Sequence, residues 1–394
     1  MNTKPTDKKA LGWLSGAHLI NDTYSGFLNP IMPFIAAKIG ITVAIATAIM
    51  GIAQICASMF QPIFGFWADN SLKRVFIFWG LIFGSLFIPL ATNAPNAPIL
   101  TLCVILGNLG GSFFHPQALG FIAKFSHRNF VSNMGIFISA GTVGFSFGPI
   151  ISALVAENFG LEKIPYLALI GVTFALFMFA CVPKISGKGE APEYKYFKES
   201  FKEILTNRNM NILTVIAMMK ALITNSCMIL LPFLWKDLGY SPTYIGISLF
   251  LFMLTGGLGS LVSGRAEAKL GAKLIFYISM IATLPIMILF ILTYKHYPLV
   301  SIVIFVIMAF TTMLAQPVMI VMAQRILPDY RSIVSGFING FAWGIVAIFL
   351  IIIGFCAQEF GIPKVLLVVS IIPAIASYLV KYLPDHVDVT INKG

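Results

Sequence analysis

The chain has 394 residues, of which 58% are hydrophobic and only 10% charged, with a mean hydropathy of +0.90. A soluble globular domain carries about 25% charged residues, so that class is excluded. The formal charge of +11 would suggest nucleic acid in a soluble protein, but membrane topology accounts for it and no nucleic-acid partner is expected.

A bilayer core about 30 Å thick takes about 20 helical residues to cross. Apolar stretches of about that length occur at 11–37, 43–68, 75–93, 98–124, 131–156, 165–183, 210–235, 243–266, 273–294, 298–324, 332–357 and 362–381. They are continuous rather than alternating every second residue, which predicts an all-α membrane protein of twelve transmembrane helices and not a barrel. With the N-terminus inside, the inner segments hold 20 Lys and Arg. Five lie outside (Lys38, Lys163, Lys236, Lys295 and Lys364) and one, Lys220, falls in mid-span. The positive-inside rule is met with both termini cytoplasmic, as in a bacterial inner membrane. The opening MNTKPTDKKA leads into a span without a small-residue cleavage pattern, so the first helix is expected to stay.

The first span contains GAHLINDTYSGFLNPIMP, from Gly16 to Pro33. Of 15 acids in the chain, Asp22 alone lies deep in a span, and an intramembrane acid is costly enough to mark function. His18 stands four residues earlier, on the same helix face. Asp22 with His18 is the candidate proton-coupling pair, and neighbouring Asn21 is a substrate-binding candidate. The other reading of Asp22 is a hydrogen-bonded packing residue. In the second span Gln54 is a weaker binding candidate. The fourth span reads FFHPQA: His115 joins the proton candidates and Gln117 the binding ones. Two residues apart means about 200° of helical rotation, so both cannot face one site unless Pro116 bends the helix.

Pro183 to Asn209 is the longest polar stretch, Pro- and Gly-containing and then amphipathic. It predicts two six-helix bundles, 1–183 and 210–394, joined by a cytoplasmic linker over 184–209. Sliding the chain by 199 residues aligns Pro33 with Pro232, Gly40 with Gly239, Thr42 with Ser241, Gly65 with Gly264, Gln117 with Gln316 and Gly141 with Gly340, without a gap. That is the pattern of a duplicated unit. The same offset places Lys220, in the seventh span, opposite Asn21. Lys220 either pairs with Asp22 or contacts an anionic substrate. Asn225, Gln316 and Trp343 complete the binding candidates. The five cysteines fall in apolar runs without a CxxC pair and read as small hydrophobes. No cofactor and no metal site is expected. Without HExxH, GxSxG, paired carboxylates or a Walker sequence, the chain is not expected to be an enzyme.

Twelve spans in two related halves is the plan of the major facilitator superfamily, and GFWADNSLKR resembles its signature between spans two and three. That resemblance makes Gly65, Asp69, Lys73 and Arg74 gating candidates, through ion pairs formed in one state and parted in the other. Leu72 stands where a second glycine is usual, whereas GRAEAKLGAK, from Gly264, keeps both glycines and displaces its acid to Glu267. In the fifth span GIFISAGTVGFSFGP resembles the signature of proton-coupled exporters, through Gly135, Gly144, Gly148 and Pro149, which are further gating candidates. Its usual trailing glycine pair is absent at Ile150 to Ala153.

HLINDTYSGFLNPIMP and FFHPQALGFIAKFSHR, with the fifth-span glycines, resemble the fosmidomycin-resistance branch; the second half matches at superfamily level only. The resemblance implies a proton-driven exporter, with coupling on Asp22 and with His18 and His115 nearby. The expected function is therefore a monomeric secondary transporter in the lipid bilayer, an antiporter exchanging protons for a small anionic organic compound. An importer or uniporter of an anionic metabolite or metal chelate is the alternative.

Overall fold

A computed structural model describes residues 7–61, 64, 75–125, 130–182, 194–330, 333–334 and 337–384. The gating candidates Gly65, Asp69, Lys73 and Arg74, with Leu72, lie outside the described residues. The helices are α1 (Lys8–Ser25), α2 (Leu28–Ile39), α3 (Val43–Met59), α4 (Val75–Ala91), α5 (Ala97–Phe125), α6 (Phe130–Phe159), α7 (Ala168–Cys181) and α8 (Tyr194–Thr206). They continue as α9 (Arg208–Asp237), α10 (Pro242–Leu270), α11 (Ala272–Ile281), α12 (Thr283–Thr293), α13 (Pro298–Ile326), α14 (Ala342–Phe360) and α15 (Ile362–Ala376). Among the described residues nine helical segments are long and apolar enough to cross a membrane. The shorter apolar α3 and α4, with α1 and α2 as the first passage, complete the expected spans. Large apolar side chains such as Leu261 and Leu299 stand exposed, as a lipid-facing surface requires.

The first span is broken where a continuous helix is expected over 11–37. The Gly26 N–H is shared between the Asp22 and Thr23 carbonyls at 3.1 and 3.2 Å, the Phe27 N–H turns back to the Tyr24 carbonyl at 3.1 Å, and Pro30 has no N–H to offer the Gly26 carbonyl. Gly26 is also pressed on α6: a Cβ there would lie 2.8 Å from the Phe145 carbonyl oxygen.

The chain forms two compact units, Met1–Ala191 with Pro232–Phe250, and Pro192–Leu231 with Leu251–Gly394. In the first, α4 runs along α5 and α1 along α6. Both crossings are built on glycine, because helices in lipid gain most from close backbone approach. A Cβ on Gly80 would meet the Gly110 carbonyl oxygen at 2.7 Å; on Gly144 and Gly148 it would meet the carbonyl oxygens of Leu19 and Thr23 at 2.1 and 2.3 Å. Gly135 differs, since a methyl there meets nothing within 4 Å. Gly144→Leu is expected to cost at least about 1–3 kcal/mol by forcing α1 and α6 apart. Gly135→Ala is expected to be neutral or to add up to about 1 kcal/mol of helix propensity. Thermal unfolding of the purified variants in detergent checks both.

In the second unit, α9, α11 and α13 contribute most of one apolar core, through Met210, Leu213, Phe276, Val318 and Met319. The amphipathic α8 adds its apolar face: Ile204 is fully buried in that core, and the Phe201 ring lies 5.6 Å from Phe337.

The repeat is visible in the turns. Gly40 and Gly239 both take positive φ, 71° and 83°, after the preceding helix, a conformation that suits glycine. Two residues on, Thr42 and Ser241 accept the N–H three residues ahead, those of Ile45 and Tyr244, each capping a helix start. Gly271 takes φ 79° between α10 and α11; it is the second glycine of GRAEAKLGAK, so in this copy of the signature the turn itself calls for glycine. Glu267 of the same stretch pairs with Arg325 at 3.1 Å. Because that pair is exposed, Glu267→Gln is expected to change stability by no more than about 1 kcal/mol in thermal unfolding.

Candidate functional site

Asp22 is held in the first unit between two imidazoles. Its Oδ2 lies 3.2 Å from His18 Nε2 and its Oδ1 3.6 Å from His115 Nε2; its side chain is 17% exposed and that of His115 28%. Asn21 Nδ2 donates to Asp22 Oδ1 at 2.9 Å. The i,i+4 spacing on α1 brings His18 to Asp22, and α5 supplies His115.

His18 is fixed more tightly than its partners. Its Nδ1 donates to the Phe137 carbonyl oxygen of α6 at 2.8 Å, and its ring stacks on that of Phe137 with centroids 4.2 Å apart. The His115 ring meets it edge-on at 5.2 Å. Gly141 makes the room: a Cβ there would lie 2.4 Å from the His18 ring.

This arrangement has a chemical consequence. A carbonyl oxygen only accepts, so Nδ1 carries a hydrogen. In the neutral ring Nε2 would then present its lone pair to a carboxylate oxygen 3.2 Å away. Two acceptors facing each other in a poorly hydrated place repel, and a cation between them removes the conflict. A proton on either atom does so.

In the second unit Lys220 on α9 is 1% exposed, and its ammonium donates to Gln316 Oε1 on α13. Within its unit no carboxylate pairs with it among the described residues. Among the described residues of its unit one neutral acceptor is seen for a group that in its charged form has three donors, and a lysine so placed favours, when charged, any anion that reaches it.

The remaining candidates separate. Gln117 is 2% exposed, and its Oε1 accepts the Ile77 N–H at 2.9 Å near the described start of α4. This bond ties α5 to α4, and Gln117 diverges from His115 as the helical rotation requires. Asn21 serves Asp22. Gln54 donates to Ser58 on its own helix and Asn225 to the Ala221 carbonyl on its own; Trp343 is half-buried. Of the expected fifth-span signature, Gly144 and Gly148 line the crossing with α1, and Pro149 lies against Gly26 just beyond it.

Two contributors to the site escape a reading by residue type. Gly141 has a signal, its alignment with Gly340 in the repeat. Phe137 has none, because it acts through its main chain. Gly141→Ala is expected to displace the His18 ring, slowing transport more than it lowers thermal stability; flux and unfolding measured on one preparation separate the two.

The model of the Major Facilitator Superfamily matches residues 14–233 and again 213–393. The chain belongs to the Major Facilitator Superfamily. Among its relatives, the Fosmidomycin resistance protein of Escherichia coli (strain K12) is 24% identical over 390 residues, covering 95% of this chain and 93% of that protein. Among solved structures, a bacterial homolog of the human lysosomal transporter Spinster superposes with a TM-score of 0.81 at 13% identity over 97% of both chains. The nucleoside transporter NupG does so with a TM-score of 0.75 at 15% identity, over 95% of this chain and 98% of its own. These likenesses show the superfamily fold. As a superfamily member the chain is a multi-pass membrane transporter of small molecules and not an enzyme.

Proposed function

We propose that this transporter is a proton-driven antiporter that exports a small anionic organic compound of the phosphonate kind. It works in the inner membrane as a monomer with both termini cytoplasmic, and the halves 1–183 and 210–394 alternate access about the 184–209 linker. The observation that carries proton coupling is the His18–Asp22 contact, where a ring nitrogen and a carboxylate oxygen face each other at 3.2 Å while the other nitrogen is committed to Phe137. That pair holds one proton in the arrangement seen, and losing the proton reinstates the repulsion. Protonation is thereby linked to the spacing of α1, α5 and α6. An anionic substrate is supported by Lys220, a buried cation with a neutral partner. Export and the phosphonate class are supported by the likeness to the fosmidomycin resistance protein.

The test uses purified protein in liposomes with an internal pH dye and an imposed pH gradient, with fosmidomycin, other small phosphonates, citrate-like chelates and neutral drugs added in turn. Proton movement is expected only with an anion. Solute flux without proton movement would overturn the antiport reading in favour of a uniporter or importer of an anionic metabolite or metal chelate.

A further inference from the structure

The geometry points to a binding site for one divalent transition-metal ion of the zinc class, formed by His18 Nε2, the Asp22 carboxylate and His115 Nε2. The sequence carries no metal spacing, since the ligands lie on two helices nearly a hundred positions apart. Folding brings one ligand atom from each residue within 4.8 Å of the other two.

Zn–N bonds of about 2.0–2.1 Å and Zn–O bonds of about 2.0–2.2 Å place neighbouring tetrahedral ligand atoms about 3.3 Å apart. His18 Nε2 lies 3.2 Å from Asp22 Oδ2 and His115 Nε2 3.6 Å from the other carboxylate oxygen, Oδ1, and with one atom taken from each residue the three lie within 4.8 Å of one another. What closure remains falls to His115, which is partly exposed and forms no hydrogen bond among the described residues.

The groups behind the ligands are those a metal site uses. A metal-bound imidazole donates its other N–H to a carbonyl or carboxylate, which fixes the tautomer and aims the lone pair; His18 does this at Phe137. Asn21 steadies the carboxylate. When the proton between them leaves, the Nε2 lone pair and the carboxylate converge on a place that a metal cation fills without repulsion. Two imidazoles among three ligands select zinc, nickel or cobalt over magnesium or calcium. Three protein ligands leave a fourth position open. The inference rests on this geometry and not on the antiport reading, so binding and flux are separate readouts.

The experiment uses full-length protein without a polyhistidine tag, stripped with chelator and held in detergent. Co2+ is followed by its visible ligand-field absorption and Zn2+ by calorimetry. One Zn2+ per chain is expected, with a four-coordinate Co2+ spectrum that Zn2+ erases and Mg2+ leaves unchanged. His115→Gln, at the most exposed ligand, and Asn21→Ala, behind Asp22, are each expected to weaken binding about tenfold or more. Thermal unfolding checks that both are folded. If either variant fails to fold, the spectrum and stoichiometry of the unaltered protein decide. No stoichiometric binding, an octahedral Co2+ spectrum, or unchanged affinity in His115→Gln would overturn the site, the last meaning an adventitious ion elsewhere.

Discussion

Asp22→Asn is expected to reduce gradient-driven transport to the rate of empty vesicles while leaving the protein folded. The carboxamide matches the carboxylate in shape and can turn its N–H2 toward His18 Nε2, donating where the carboxylate only accepts. With His18 Nδ1 still bound to Phe137 at 2.8 Å, every group in the contact is then satisfied without an exchangeable proton. The variant therefore removes the feature that links protonation to packing and keeps the packing. The check is proton and solute flux in proteoliposomes beside a thermal unfolding curve. Full gradient-driven flux in the variant would remove Asp22 from coupling, and a collapsed unfolding temperature would make it a structural residue.

Lys220→Met is expected to weaken binding of anionic substrates by between roughly 30-fold and several-thousand-fold, the range that follows when one partner of a buried charge pair is truncated at about 2–5 kcal/mol. Stability should move the other way. Methionine approximates the lysine stem in length and needs no solvation, so the cost of holding an ammonium at 1% exposure disappears. Gln316 loses this one donor and sits beside a flexible, apolar replacement. Equal or higher thermal stability together with weak anion binding would support a substrate contact. Lower stability with unaltered binding would make the lysine a packing element bridging α9 and α13 through Gln316. Equilibrium binding of labelled fosmidomycin or a small phosphonate, with unfolding on the same preparation, reads both quantities.

Much of the architecture is legible in the chain because lipid allows few solutions. Twelve apolar runs, the polar stretch from Pro183 to Asn209 and the 199-residue offset all follow from local composition. The structure adds that aligned residues such as Gly40 and Gly239, or Thr42 and Ser241, do the same local work in turns and caps. Aligned residues inside the bundle have diverged: Gln117 ties two helices, whereas Gln316 receives a buried ammonium. Gly141 makes room for a histidine, while a methyl on Gly340 would meet nothing within 4 Å. Helix ends are governed by the same backbone geometry in both copies. The interior is governed by whichever side chains happen to lie opposite.

The same division runs through the site. That His18 and Asp22 share a face is a matter of helical pitch and could be read from four residues of α1. That His115 joins them while Gln117 turns away narrows to a choice in the sequence, because about 200° of rotation separates the two; only the packing of α5 made the choice. The Phe137 carbonyl belonged to tertiary structure entirely, whereas Pro30 marks the break at Gly26 and the repeat marks Gly141 without saying what either does. Pitch and hydropathy act along one helix and are written in its own residues, whereas the partner across a helix crossing is set by which surfaces approach, and a main-chain oxygen leaves no mark in the sequence at all.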